Sequence, residues 1–141
     1  MSRFSGEYPQ DWPAIAKRVK DEAGWCCVRC GHPHEPKAGY TLTVHHLDNN
    51  KSNTRWHNLV ALCQRCHLAI QGKVVMDRPW MLEHSDWFKP YAGGFFAMKY
   101  LQRDLSRDQV AADLEYYATL EVHLLGDYAN RRSHTQRGKP K

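Results

Sequence analysis

Two Cys-x-x-Cys pairs constrain the fold of this chain more than any other feature. The pairs are Cys27/Cys30 and Cys63/Cys66, and a run rich in histidine and asparagine lies between them. Each pair forms a tight turn that directs two sulfur atoms to one point, and four thiolates are the ligand set of a tetrahedral structural Zn2+. Because such a site contributes directly to the free energy of folding, the spacing predicts that zinc holds the two turns together.

The other features of the sequence favour metal over disulfide bonds. The first residues, MSRFSGEYPQDW, lack the apolar segment of a secretory signal peptide, and no apolar run approaches the roughly 18 residues that cross a bilayer. We therefore expect a cytoplasmic protein with no membrane partner, where paired Cys-x-x-Cys sequences usually bind metal. Cys26 is the fifth cysteine, and it receives no ligand role because Cys27 has the usual spacing to Cys30.

The segment between the cysteine pairs predicts a ββα unit. Residues 40–46 are rich in β-branched and aromatic side chains, which favours a strand. Residues 48–57 form a polar loop with asparagine and serine residues typical of turns. Residues 59–62 are a short apolar second strand, and a helix follows from residue 64 to Gly72.

Helices are predicted on both sides of this unit. A helix begins after Asp11, with Pro13 in its first turn, and ends at Gly24. Residues 93 and 94, both glycine, predict a turn before a short helix over residues 95–101.

A capping box at Ser106 and Gln109 predicts the start of a long C-terminal helix, which ends at Gly126. We expect Leu105 and Val110 to form a hydrophobic staple around the capping box. The apolar face of this helix should then consist of five residues at helical spacing: Ala111, Leu114, Ala118, Val122 and Leu125.

The net charge of +5 lies entirely in the last twelve residues, about a tenth of the chain. Residues 130–141 contain three arginines, two lysines and no acidic residue. Their glycine, proline and serine content predicts a disordered tail. Such a tail suits non-specific contacts with nucleic acid phosphates, and the alternative is a solvated tail that only improves solubility.

The histidines predict a second metal site beside the zinc. Adjacent residues on a strand point to opposite sides, so one of His45 and His46 can bind a metal while the other faces a reacting water. His67 follows Cys66 on the helix and can face the strands. Two imidazoles, with Asn58 as a further candidate, leave coordination positions open for water and phosphate. Mg2+ or Mn2+ suits such a site, and imidazole also suits Ni2+ or Zn2+.

Residues 44–67, VHHLDNNKSNTRWHNLVALCQRCH, together with Cys27-x-x-Cys30, resemble the HNH endonuclease family of ββα-metal nucleases. The resemblance covers about residues 25–72, one third of the chain. It implies that His46 is the general base, that His45 is the first metal ligand, at a position often held by aspartate, and that His67 is the final ligand. Asn58 matches the central asparagine, which fixes the loop or touches the metal. His57 is a competing ligand, but it lies off the pattern and is more typical of a loop histidine.

The resemblance implies an α+β fold with a zinc-stabilised ββα-metal core and metal-dependent hydrolysis of DNA phosphodiester bonds, with RNA as a further substrate class. The partner is then DNA, with a homodimer or a larger nuclease assembly as further expectations, and the setting is intracellular, in bacteria or encoded by phage. Four basic side chains in or beside the motif are candidates for phosphate contacts: Arg29, Lys51, Arg55 and Arg65.

We expect a single domain over residues 1–129, with the core at about 25–72 and a helical extension at 73–129. Two functions of other classes compete with the nuclease. The first is a zinc-stabilised nucleic-acid-binding module without catalysis, although such a module needs only the cysteines. The second is an accessory subunit of a phage or mobile-element assembly, for which the aromatic residues of the extension would form a docking surface.

Overall fold

The computed structural model describes residues 7–70, 86–127 and 129. The chain divides into two compact units, residues 1–76 and 77–141, and each unit is described by itself. The division lies close to the predicted border between core and extension at residues 72 and 73, while a single domain over residues 1–129 stays a prediction. The predicted disordered tail, residues 130–141, lies outside the described residues. No helix among the described residues is long and apolar enough to span a membrane.

The first unit contains the predicted ββα core. Its elements are α1 (Trp12–Glu22), β1 (Leu42–His46), β2 (Leu59–Cys63) and α2 (Gln64–Ile70). The strands pair antiparallel, with Leu42 opposite Cys63 and His46 opposite Leu59. The strand predicted from residue 40 begins two residues later, because Tyr40 instead forms an isolated bridge with Glu35. The α+β class and the strand, loop, strand, helix order are confirmed.

Both strands lie at the centre of this unit. All five residues of β2 are buried, which accounts for the uninterrupted apolar run in the sequence, because α1 and α2 each contact the two-stranded sheet. In α1, Ile15 is buried, and three apolar residues at helical spacing to it, Trp12, Ala16 and Val19, are half-buried. Asp11 occupies the N-cap position, although its side chain makes no capping hydrogen bond. Gly24 follows the helix with a φ of +64°, a conformation that favours glycine.

The second unit is helical in its described part. It contains α3 (Lys89–Leu101), α4 (Arg107–Ala112), α5 (Leu114–Thr119) and helical residues 121–127. The predicted capping box is present: the Gln109 backbone N–H donates to Ser106 Oγ at 3.2 Å, and the Ser106 N–H donates to Gln109 Oε1 at 2.8 Å. Leu105 and Val110, the predicted staple residues, are both buried.

The prediction of one continuous C-terminal helix is wrong. Asp113 adopts φ −145° and ψ 48°, outside the helical region, and separates α4 from α5. The helical spacing of the apolar residues is therefore interrupted at Asp113. As a result, the residues of the predicted apolar face are not the buried residues. Val122 and Leu125 are 63% and 48% exposed. The buried residues of these segments are instead Val110, Tyr117, Leu120 and Leu124.

The turn predicted at residues 93 and 94 is also wrong, because both glycines lie buried inside α3. A Cβ atom on Gly93 would lie 3.0 Å from Val110 Cγ1, 3.4 Å from Tyr117 Cβ and 3.5 Å from Leu114 Cδ1. Glycine is therefore used here for the close approach of α3 to α4 and α5 and not for a turn.

This close approach predicts that Gly93→Val destabilises the protein. Valine adds its methyl groups to a space that a single Cβ already crowds, and overpacking of this kind costs about 1–3 kcal/mol. Chemical denaturation of the full chain measures the loss. Valine has a higher helix propensity than glycine, so a loss in Gly93→Val reports packing. Lys99→Val, at an exposed position of the same helix, is the control for a helical valine without the close contact. Equal losses in the two variants would contradict the packing role of Gly93.

Candidate active site

The four predicted zinc ligands form one cluster. The Sγ atoms of Cys27, Cys30, Cys63 and Cys66 all lie within 4.8 Å of one another. The Sγ atoms of Cys30 and Cys63 are 3.8 Å apart, which is the separation of about 3.8 Å that Zn–S bonds of about 2.3 Å give in a tetrahedron. The donor set and its spacing therefore fit a structural zinc ion. Cys26 lies outside the cluster, and its thiol donates to the Gly24 carbonyl at 3.5 Å.

Hydrogen-bond donors surround the sulfur atoms. The backbone N–H groups of Cys30 and Cys66 donate to the sulfur atoms of Cys27 and Cys63, and Arg29 Nη1 donates to Cys66 Sγ at 3.4 Å. Burial raises the pKa of the Cys66 thiol to about 12. Burial also raises the pKa of Cys27, but backbone N–H donors outweigh it and lower that pKa to about 7. Four neighbouring thiols cannot all ionise without a cation between them, so the thiolate form of the whole cluster requires a bound ion.

His45 and His67 meet beside this cluster. His45 lies on β1 and His67 on α2, and His45 Nδ1 is 3.0 Å from His67 Nε2. Two nitrogen ligands bound at about 2.1 Å and at right angles to each other lie about 3.0 Å apart. The same distance suits an N–H···N hydrogen bond when no ion is bound. The structure thus brings the two histidines together as the sequence indicated, at a distance that fits both a shared ion and a direct hydrogen bond.

The electrostatics of the pair also suit a cation. Burial, and to a smaller extent the nearby rings of His67 and His46, lower the pKa of His45 to about 4. Burial lowers the pKa of His67 as well. Both imidazoles are therefore neutral at pH 7, the form that binds metal. Nε2 of His45 is buried and has no hydrogen-bond partner among the described residues.

His46 points away from this pair, as expected for its neighbour on a strand, and packs against aromatic rings. Its ring stacks on Trp12 with centroids 4.9 Å apart, and Tyr8 lies 5.8 Å away. Tyr8 is 51% exposed, and Lys51 Nζ lies 5.1 Å from its ring centroid. Nε2 of His46 is buried and has no hydrogen-bond partner among the described residues. The aromatic cover of His46 was not foreseen from the sequence.

The protonation of His46 follows from its surroundings. Burial lowers its pKa, while the Asp48 carboxylate and a hydrogen bond with the Lys51 backbone oppose this shift. Nε2 makes no hydrogen bond among the described residues, so a lone pair at this atom would be free to accept a proton.

Asn58 fixes the loop that contains Lys51. Its Oδ1 accepts from the Asp48 N–H at 2.8 Å, and its Nδ2 donates to Asp48 Oδ1 and to the Asn53 carbonyl, both at 2.9 Å. Asp48 also accepts from the backbone of Asn50 and the side chain of Asn53. The resemblance implied that Asn58 either fixes the loop or touches the metal, and these contacts match the loop-fixing role. Asp48 shares that role, and its sequence position alone did not reveal it.

His57 is not the surface loop histidine that its sequence position suggested. It lies in a short 3-10 turn, Trp56–Asn58, and is only 1% exposed. Its burial follows from the turn, which directs the chain into β2. Its ring packs edge-on against Trp56, with centroids 5.5 Å apart.

The four candidate phosphate contacts lie in different environments. Lys51 lies against the ring of Tyr8, which adjoins the His46 ring. Arg55 is exposed. Arg29 is exposed but also donates to the zinc cluster. The Arg65 guanidinium donates to the carbonyls of Ala38 and Gly39 and stacks on Tyr40. Arg65 thus has a structural use that the sequence did not indicate, and the phosphate contacts of all four stay predictions.

Thr43 is a further site residue that the motif did not include. Its Oγ1 lies 3.0 Å from His67 Nδ1 and 2.8 Å from the Leu62 carbonyl. The available signal was its position two residues before His45, which places both side chains on one face of β1.

Comparison with known proteins agrees with this geometry. The family model described as HNH endonuclease matches residues 27–72. The chain is also similar to the Zorya protein ZorE of Escherichia coli (strain Crooks), with 32% identity over 60 residues that cover 43% of this chain and 16% of that protein. The chain thus matches less than a fifth of the length of this relative. No solved structure matches the chain. The match to the HNH endonuclease family model thus lies on residues 27–72, about a third of the chain, and includes the four cysteines and the histidines described above.

Proposed function

We propose that this chain is a metal-dependent endonuclease that hydrolyses DNA phosphodiester bonds. The observation that carries the proposal is the 3.0 Å approach of His45 Nδ1 to His67 Nε2, next to a histidine, His46, whose Nε2 has no hydrogen-bond partner among the described residues. Neutral imidazoles in both places supply ligands for a divalent ion and a base for water. A module that only bound nucleic acid would need neither.

His45 and His67 would hold the divalent ion, and Asn58 would act through the loop. When bound, the ion would supply stabilisation of the negative charge that develops on the phosphate and on the departing 3′ oxygen. We propose Mg2+ or Mn2+ for this position, because two ligands leave most of the coordination shell to water and phosphate. Ni2+ and Zn2+ are the alternatives, because both accept imidazole ligands.

His46 would act as the general base. The Lys51 backbone and the stacked Trp12 hold its ring, and Nε2 would take a proton from the water that attacks phosphorus. Because Nε2 is buried, water must first reach it, and Tyr8, which is 51% exposed, is the side chain that separates His46 from solvent on this side. Lys51 is the best-placed candidate for a phosphate contact, because its ammonium group lies against Tyr8, which adjoins His46. Arg55, an exposed residue of the same loop, and Arg29 and Arg65 are the other candidates.

Supercoiled plasmid provides the test. Purified zinc-loaded protein is incubated with plasmid in EDTA, Mg2+, Mn2+ or Ni2+. We expect conversion to open circle or linear DNA with a divalent ion and none with EDTA. Plasmid that stays supercoiled under every condition would contradict the proposed activity, and the same reaction on single-stranded DNA and on RNA identifies the substrate class.

One observation favours a second function, that of a nucleic-acid-binding or accessory subunit without independent cleavage. Tyr8 and Trp12 cover His46, and its Nε2 is buried, as expected if a partner must expose the base. In that case the protein shifts plasmid on a gel but does not cleave it, whichever metal is added. The homodimer, the larger assembly and the intracellular setting stay predictions.

A further inference from the structure

We propose that Thr43 is a positioning residue that sets the tautomer and orientation of His67, so that the Nε2 lone pair of His67 points at His45. The proposal rests on the proposed function, in which this histidine pair holds a divalent ion. It adds to the proposed site one residue, Thr43, that lies outside the family motif.

The hydrogen bonds of the Thr43 hydroxyl determine its role. Oγ1 lies 2.8 Å from the Leu62 carbonyl oxygen and 3.0 Å from His67 Nδ1. A hydroxyl has one hydrogen, and a carbonyl oxygen can only accept. The hydroxyl therefore donates to the Leu62 carbonyl oxygen. Its oxygen then accepts a hydrogen bond from the Nδ1–H group of His67.

This assignment decides the chemistry of the other ring nitrogen. A neutral imidazole carries one N–H, so a hydrogen on Nδ1 of His67 leaves a lone pair on Nε2. That lone pair faces His45 Nδ1 at 3.0 Å. Without an ion, Nε2 of His67 accepts a hydrogen from His45 Nδ1. With an ion bound, His45 would carry its hydrogen on its own Nε2, so that both facing nitrogens present lone pairs. His67 needs no such change, whereas a hydrogen on its Nε2 would place a donor where the ion has to bind.

The strand register makes the arrangement possible. Thr43 pairs with Leu62 across the sheet, which brings the carbonyl within reach of the hydroxyl. Thr43 and His45 are two residues apart and share one face of β1, and α2 brings His67 over that face. One strand thus presents both a ligand and the group that orients the second ligand, an arrangement that metal sites commonly use to fix histidine rings.

Two variants of the full zinc-loaded chain test the proposal. Thr43→Val keeps the β-branched shape and removes the hydroxyl, and Thr43→Ser keeps the hydroxyl. Mn2+ binding is measured by isothermal titration calorimetry, with zinc content and melting temperature as folding controls. We expect Thr43→Val to bind Mn2+ about 10–100-fold more weakly and Thr43→Ser to resemble the wild type. Equal Mn2+ affinity in Thr43→Val and wild type would overturn the proposal.

A second measurement does not depend on the nuclease. Long-range 1H–15N NMR spectra identify which nitrogen of a neutral histidine carries the hydrogen. In the wild type without added divalent ion, we expect His67 in the Nδ1–H form, and in Thr43→Val we expect loss of that single form. A wild-type His67 with its hydrogen on Nε2 overturns the role of Thr43 even if the protein cleaves DNA. A wild type that neither cleaves nor binds Mn2+, but shows the Nδ1–H form, contradicts the proposed function instead.

Discussion

His46→Ala should abolish plasmid cleavage while the protein stays folded and still binds DNA. The substitution removes the proposed base, and loss of a general base lowers a rate by about 10²–10⁴-fold. It leaves the four zinc ligands and the His45–His67 pair in place. Because His46 packs on Trp12, His46→Gln is a useful second variant: it fills more of the same space and cannot accept a proton at neutral pH.

The measurements are the initial rate of plasmid nicking, the melting temperature and a gel shift with a DNA duplex. His123→Ala, which removes an exposed histidine of the second unit, is the matched control and should cleave at the wild-type rate. Cleavage retained by both His46 variants would place the base elsewhere. The buried His57 would then be the first histidine to replace.

Local patterns were sufficient to predict the ββα core. The β-branched run before His45, the apolar run of β2 and the spacing of the cysteines each report a structure formed within a few residues. The cysteine cluster joins two tight turns, and this explains why cysteines 33 residues apart, such as Cys30 and Cys63, could be paired from sequence. Strand alternation left His45 and His46 as alternatives, and the resemblance to the HNH family selected His45 as the partner of His67.

What the sequence did not predict depends on contacts between elements. Gly93 has the signature of a turn, and only the proximity of Val110 shows that it serves helix packing. The apolar face predicted for the C-terminal helix assumed one continuous period, which Asp113 interrupts. Likewise, neither the cover of His46 by Tyr8 and Trp12 nor the use of Arg65 to bind backbone carbonyls has a local signal.

We expect Cys63→Ser to unfold the first unit rather than to impair catalysis alone. Cys63 is buried at the end of β2, and its sulfur lies in the four-thiol cluster. Structural zinc contributes an apparent binding free energy of about 10–16 kcal/mol in small zinc-dependent folds. Native domains retain a net stability of about 5–15 kcal/mol. Loss of the ion therefore removes a contribution as large as the whole stability, and few apolar contacts are available to replace it in a core of two short strands.

Zinc content by elemental analysis and unfolding followed by circular dichroism provide the readouts, and Cys26→Ser is the matched control. Cys26 lies one residue from a ligand but outside the cluster, and its bond to the Gly24 carbonyl is one that a serine hydroxyl can also make. We expect Cys26→Ser to keep its zinc and its melting temperature, whereas Cys63→Ser loses both. An unchanged melting temperature in Cys63→Ser would show that the cluster does not stabilise the fold. Mild chelation separates the two proposed metal sites. If it stops cleavage but preserves the circular dichroism spectrum, it has emptied the histidine pair before the cysteine cluster.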